Sequence, residues 1–133
     1  MPPHILDRLR RRLHAQDGVA AVVETALIMP LLVLALGCVL HLGLYMQSRA
    51  VTIEAVQQGL TAAAARDGSA AQGSTITAGF LTDQAPVDVL AVNSTDSGTR
   101  VTVTATVRSP ALVPGLPRDI TITATATKER WVS

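Results

Sequence analysis

Thr25-Ala-Leu-Ile-Met-Pro-Leu-Leu-Val-Leu-Ala-Leu-Gly-Cys-Val-Leu-His-Leu-Gly-Leu-Tyr-Met46 carries no formal charge. A helix of about 22 residues rises roughly 33 Å, enough to cross the hydrocarbon core of a bilayer. The stretch therefore reads as a membrane helix, and the residues on either side as belonging to opposite compartments.

The flanks set the expected direction. The overall charge of +1 says little, but Arg8, Arg10, Arg11 and Arg12 precede the apolar run and only Arg49 follows it closely. An excess of arginine on one side keeps that side cytoplasmic, so the N-terminus is expected inside and the bulk of the chain outside the cytoplasm. Leu6, Leu9 and Leu13 recur at helical spacing among these arginines, which fits a helix lying on a membrane surface. A solvated tail that only sets orientation fits equally well. Pro2-Pro3 is expected to keep the very start out of a helix. The competing reading of a cleaved secretory signal fits less well. The apolar run exceeds the usual h-region of about 7–15 residues, and no small-x-small site follows it directly. The lone cysteine, Cys38, lies inside the apolar stretch and rules out a disulfide framework.

Glu24 stands at the edge of the apolar run, where a carboxylate costs far less than at bilayer depth. It either marks the interface and complements the helix dipole, or meets a cation in an assembly. Gly18, the small residues after it, Glu24, and Ala26-Leu-Ile-Met-Pro-Leu-Leu-Val-Leu34 together resemble the TadE-like family of pilin-related proteins from bacterial tight-adherence systems. The resemblance implies a basic leader at 1–18, removed by a prepilin peptidase between Gly18 and Val19. It also implies a glutamate, here Glu24, that offsets the N-terminal charge of a neighbouring subunit, and a proline six residues beyond it, here Pro30. In the family's usual pattern the glutamate is fifth after the glycine; here it is sixth. Ser48-Arg49-Ala50-Val51 through Gly59 and Ala62 to Arg66 is similar to the helix that follows the span in that family. Val113-Pro114-Gly115 and Glu129-Arg130-Trp131 look like its C-terminal part.

Pro30 removes a helical hydrogen bond and is expected to bend the span. His41 has no ionisable partner three or four residues away, so a neutral, hydrogen-bonded side chain is expected in preference to proton transfer. Beyond Met46 the helical pattern continues, with Ala50, Ile53, Val56, Leu60 and Ala64 recurring and Glu54, Gln57 and Gln58 on other faces. One helix from about Ala20 to Arg66 is expected, ending at Asp67-Gly68-Ser69. The 67–86 segment reads as a small-residue linker with one or two helical turns at Thr75–Leu81, placing Ile76 and Phe80 on one side.

After Pro86 the period changes to two. Val87–Val92 reads as a strand and Ser94–Gly98 as a turn. Val101, Val103, Ala105 and Val107 alternate with Thr102, Thr104 and Thr106. Ile120, Ile122, Ala124 and Ala126 alternate with Thr121, Thr123, Thr125 and Thr127. The expected fold is thus α+β, a long N-terminal helix on a small antiparallel sheet of three strands, divided as 1–18, 19–66, 67–86 and 87–133. Asn93-Ser94-Thr95 matches a glycosylation triplet but reads as turn chemistry.

Chemistry finds little to work with. His4, His14 and His41 fall in three different settings, and no nucleophile triad, carboxylate pair, phosphate loop or metal-ligand spacing can be composed. No enzyme, cofactor or metal is expected, and four arginines without aromatic companions do not make a nucleic-acid surface. Two functions remain. One is a single-span, pilin-like structural subunit of a tight-adherence pilus or secretion apparatus, partnered by the membrane, other pilin-like subunits and the assembly machinery. The other is a membrane-anchored extracytoplasmic binding domain that is not assembled into a pilus.

Overall fold

The structure is a computed structural model and describes residues 3–128. Helix α1 spans Pro3–Ala64 and α2 Ala70–Gln84, followed by strands β1 Asp88–Asp96, β2 Arg100–Arg108 and β3 Asp119–Thr127. The architecture is α+β, as the periodicities predict. The chain divides into two compact units, residues 1–38 and 39–133.

The first unit is helical from Pro3 onward. Sequence reading starts the helix near Ala20, but Pro3 occupies a first turn, where its missing N–H has no helical partner in any case. From there to Asp17 leucines, arginines and alanines continue the helix without a breaker. Every residue from Asp17 to Leu36 is exposed. Pro30 lies inside α1 and the helix continues through it. The side chains of Leu6, Leu9 and Leu13, on which the membrane-surface reading rests, lie outside the described residues, as does Pro2.

The second unit is built on the later part of α1. His41, Ser48, Thr52, Ala55, Val56, Gly59, Leu60 and Ala63 are buried, at helical spacings of three and four. Sequence reading places Ala50 and Ala64 on that face, but Ala50 is exposed and Ala64 half-buried. The face is rotated because polar residues can join it: Thr52 Oγ1 donates to Ser48 O at 2.7 Å, and Ser48 Oγ donates to Ser109 Oγ at 3.1 Å. Buried hydroxyls satisfied in this way cost little, and a count of apolar residues does not see them.

The linker contains a full helix. Where one or two turns are expected, α2 runs for 15 residues, with Ser69 as N-cap accepting from Gln72 N–H at 3.2 Å. Ser69-Ala-Ala-Gln72 has the spacing of a capping box, a start signal the composition of the segment hides. Ala85, extended before Pro86, ends it. Glycines set the crossing of α1 and α2. A Cβ on Gly59 would lie 2.0 Å from Thr77 Oγ1 and 2.5 Å from Gly73 O, and one on Gly73 would lie 2.8 Å from the Ala63 Cβ. The approach lets Thr77 Oγ1 donate to Ala55 O at 3.3 Å as well as to Gly73 O at 2.8 Å.

The sheet is antiparallel in the order β1-β2-β3. Val101, Val103, Ala105, Val107 and Ile120 are buried in one cluster with Ala55, Val56, Leu60, Ala63 and Leu81, and Phe80, Val92, Ile122, Ala124 and Ala126 pack around it. The apolar face thus meets α1 and α2 of its own chain. On the other face the threonines pair across strands: Thr102 with Thr125, Thr104 with Thr123 and Thr106 with Thr121, at 3.0, 3.0 and 3.1 Å. β1 departs from the expected alternation. A register shift between Val89 and Ala91 leaves Leu90 exposed, and the strand runs to Asp96 through residues expected in the turn. The tight turn is therefore Ser97-Gly98-Thr99. Gly98 takes φ +83° there, and its N–H donates to Asp96 Oδ1 at 2.7 Å. Ion pairs close both ends of the sheet: Lys128 Nζ with Asp96, and Arg108 with Asp119 through two bonds of 2.7 and 3.2 Å.

Candidate membrane and assembly segment

Within α1 the helix Asp17–Ala64 is long and apolar enough to cross a membrane; its most apolar 18 residues have a mean hydropathy of 2.4 and are 6% buried. Val22, Leu27, Leu31 and Val33 each expose more than 60% of their surface. A surface this apolar would be unstable in water and is at no cost in hydrocarbon.

Gly18, Val19, Glu24 and Pro30 all lie on this helix and all are exposed. A Cβ on Gly18 would meet nothing within 4 Å, so its own helix gives no steric reason for a glycine there. Near Glu24, the side chains of Ala21, Val22, Thr25, Ala26 and Met29 line a shallow apolar groove. Pro30 has no N–H to give the Ala26 carbonyl, one residue of that groove. Folding brings none of these positions against another element among the described residues. Cys38 is a free, exposed thiol on the same helix.

His41 differs from all of these. It is 4% exposed, and both ring nitrogens are engaged by the loop between β2 and β3. The Leu112 N–H donates to Nδ1 at 3.4 Å, which makes Nδ1 the acceptor and leaves the proton on Nε2, 3.4 Å from Pro117 O. The ring is thus hydrogen-bonded at both nitrogens within the folded unit. Its two partners are backbone groups, so no residue type in the loop announces the contact. The close Gly59–Gly73 crossing and the Ser48–Ser109 bond are further positions that the sequence reading passes over.

At the two ends of the sheet, cations shift the carboxylates beside them. The Lys128 ammonium, aided by the Gly98 N–H, holds the Asp96 carboxyl below its ordinary range. Arg108 does the same for Asp119 and is itself pushed up by it. No group of three His, Cys, Asp or Glu side chains able to hold a metal occurs among the described residues. Glu129-Arg130-Trp131 and the side chains of His4 and His14 lie outside them.

The family model for TadE-like proteins matches residues 18–61. No curated protein and no solved structure matches the chain. The matched span begins at Gly18, takes in Glu24, Pro30 and His41, and ends within the buried face of α1, short of α2 and the sheet. Over residues 18–61 the chain is similar to the TadE-like family.

Proposed function

We propose that the chain is a single-span, pilin-like structural subunit of a tight-adherence pilus or secretion apparatus. It is held in the cell membrane with its N-terminus cytoplasmic and its sheet outside, and assembles through its N-terminal helix. The observation that carries this reading is the exposed apolar helix around Glu24 within the TadE-like match: among the described residues none covers it and none pairs the carboxylate. Lipid supplies the cover, and a neighbouring subunit's N-terminal amine supplies the charge. Two unit charges about 4 Å apart attract by roughly 4 kcal/mol at an effective dielectric of 20, before desolvation is subtracted. Among the described residues, the sheet presents paired threonines and ion pairs around a small core, which suits a structural role.

In this reading a prepilin peptidase cleaves between Gly18 and Val19 on the cytoplasmic side. N-terminal sequencing of protein recovered from native membranes, combined with protease treatment of sealed spheroplasts, tests it. The expected result is a start at Val19 and a sheet accessible from outside. An intact Met1 removes the processing step; a protected sheet removes the orientation. Crosslinking in those membranes is expected to give adducts with other pilin-like subunits that Glu24→Ala abolishes. Adducts indifferent to that change leave an anchored binding domain in its place.

A further inference from the structure

We propose that the loop Pro110–Pro117 is a second membrane contact, a hook that lays Leu112 and Leu116 into the outer lipid interface beside the span. The inference rests on the single-span reading above and adds a lipid-binding element that belongs to the sheet rather than to the helix.

Two contacts fix the level of the loop along α1. Ser109, at its start, bonds Ser48 at 3.1 Å. Leu112 and Pro117, further along, meet His41 at 3.4 Å each. Seven helical residues separate Ser48 from His41, about 10 Å at 1.5 Å per residue. The feet of the loop are closed by the Ser109 N–H to Arg118 O bond at 2.9 Å, and from there the loop leans along α1 from the level of Ser48 toward His41, in the direction of the apolar run. By residue count, a hydrocarbon-crossing helix beginning at Thr25 needs about 20 residues and so reaches about Leu44. His41 and the part of the loop fastened to it fall at the outer edge of that span.

Chemistry changes from the feet of the loop to its tip. At the upper level stand Arg49 on the helix and Arg108, Arg118 and Asp119 at the loop's two feet. Below it, Pro110-Ala-Leu-Val-Pro-Gly-Leu-Pro117 has no charged or hydroxyl side chain, and Leu112 and Leu116 are 51% and 38% exposed. The adjoining helix residues Val39, Leu40, Leu42 and Met46 are all more than half exposed. Charged feet above an apolar tip are the pattern of an interfacial element, with arginines at headgroup depth and leucines beneath. The backbone is prepared for that depth as well. Pro110, Pro114 and Pro117 carry no N–H, and His41 takes up the Leu112 N–H and the Pro117 carbonyl, two polar groups that would otherwise enter a region poor in water.

The test uses the full-length chain in dilute vesicles of phosphatidylcholine and phosphatidylglycerol. An environment-sensitive NBD label is placed on single cysteines. Native Cys38 reports the span, and Leu112→Cys, Leu116→Cys and Thr104→Cys, each with Cys38→Ser, report the loop and the outer sheet face. All four positions lie at the surface, so labelling does not invade the core. Expected are blue-shifted emission and quenching by nitroxide-labelled lipid at 38, 112 and 116, with nitroxides near the headgroup more effective at 112 and 116 than deep ones, and neither effect at 104. A label quenched at 38 and water-like at 112 and 116 overturns the hook and leaves the span intact. A blue shift at 112 and 116 without lipid quenching means that protein covers the loop, and overturns it too. Water-like labels everywhere, 38 included, defeat the single-span reading itself.

Discussion

Alanine at position 59 offers a test whose sign separates two accounts of the helix pair. On propensity alone, replacing a helical glycine by alanine stabilises by about 0.5–1 kcal/mol. The crossing predicts the opposite. A Cβ on Gly59 would lie 2.0 Å from Thr77 Oγ1 and 2.5 Å from the Gly73 carbonyl oxygen. Rotating Thr77 away relieves the first clash but sacrifices its bond to Ala55 O, about 1 kcal/mol, and the second clash is with backbone. The helices must separate by several tenths of an ångström at their closest point, loosening Ala55, Val56 and Ala63 against the sheet, an overpacking cost of about 1–3 kcal/mol. With the propensity gain set against a total of about 2–4 kcal/mol, Gly59→Ala is expected to destabilise by about 1–3 kcal/mol. Gly79 on α2 is the control, since a Cβ there meets nothing within 4 Å, and Gly79→Ala is expected to stabilise by about 0.5–1 kcal/mol. Urea unfolding of the full chain in mild detergent, followed by loss of sheet signal, measures both. Equal stabilisation by the two substitutions would show that α1 and α2 do not cross at Gly59 and would refute the reasoning.

Other outcomes can be read in the same preparation. Ser48→Ala strands the buried Ser109 hydroxyl and is expected to cost about 1–3 kcal/mol, whereas adding Ser109→Ala should recover most of the loss; a double variant no better than the single one counts against the pair. His41→Phe keeps an aromatic ring but leaves the Leu112 N–H and the Pro117 carbonyl without their partner, so amide exchange at Leu112 should accelerate while exchange in the middle of β2 stays slow; unchanged exchange at Leu112 contradicts the contact. Asp96 and Asp119 both have folded-state values held below the ordinary carboxylate range, so their ion pairs contribute above the unfolded value near pH 4 and the contribution is lost as pH falls through the folded values. The denaturation midpoint should therefore drop on acidification below about pH 4, and an Asp96→Asn, Asp119→Asn double variant should flatten that limb. A limb of undiminished slope in the variant assigns the acid sensitivity elsewhere. Thr104→Val and Thr123→Val should show a coupling of about 0.2–1 kcal/mol in a double-mutant cycle, and additivity within error would mean that their hydroxyls do not interact.

How far the sequence reveals this molecule depends on whether a residue's environment is set by its neighbours in the chain or by groups far along it. The apolar run and the two threonine-alternating strands are local patterns, and they were legible because period and length alone decide them. Helix α2 was legible only in part. Its start signal, Ser69-Ala-Ala-Gln72, is present, but Gly73, Ser74 and Thr75 lower its propensity, and its stability comes from packing on β1, β2 and the face of α1 that holds Gly59. The register shift in β1 carries no residue-level mark at all. His41 is the sharpest case, because its partners are a backbone N–H 71 residues away and a backbone carbonyl 76 residues away. Read along the chain, it is a polar side chain stranded in a greasy run. In the folded unit it offsets the desolvation of two backbone groups in a loop that has little else of its own with which to satisfy them. The oddity in the helix and the lack of polar side chains in the loop are one feature seen from its two ends, and each explains why the other is tolerated.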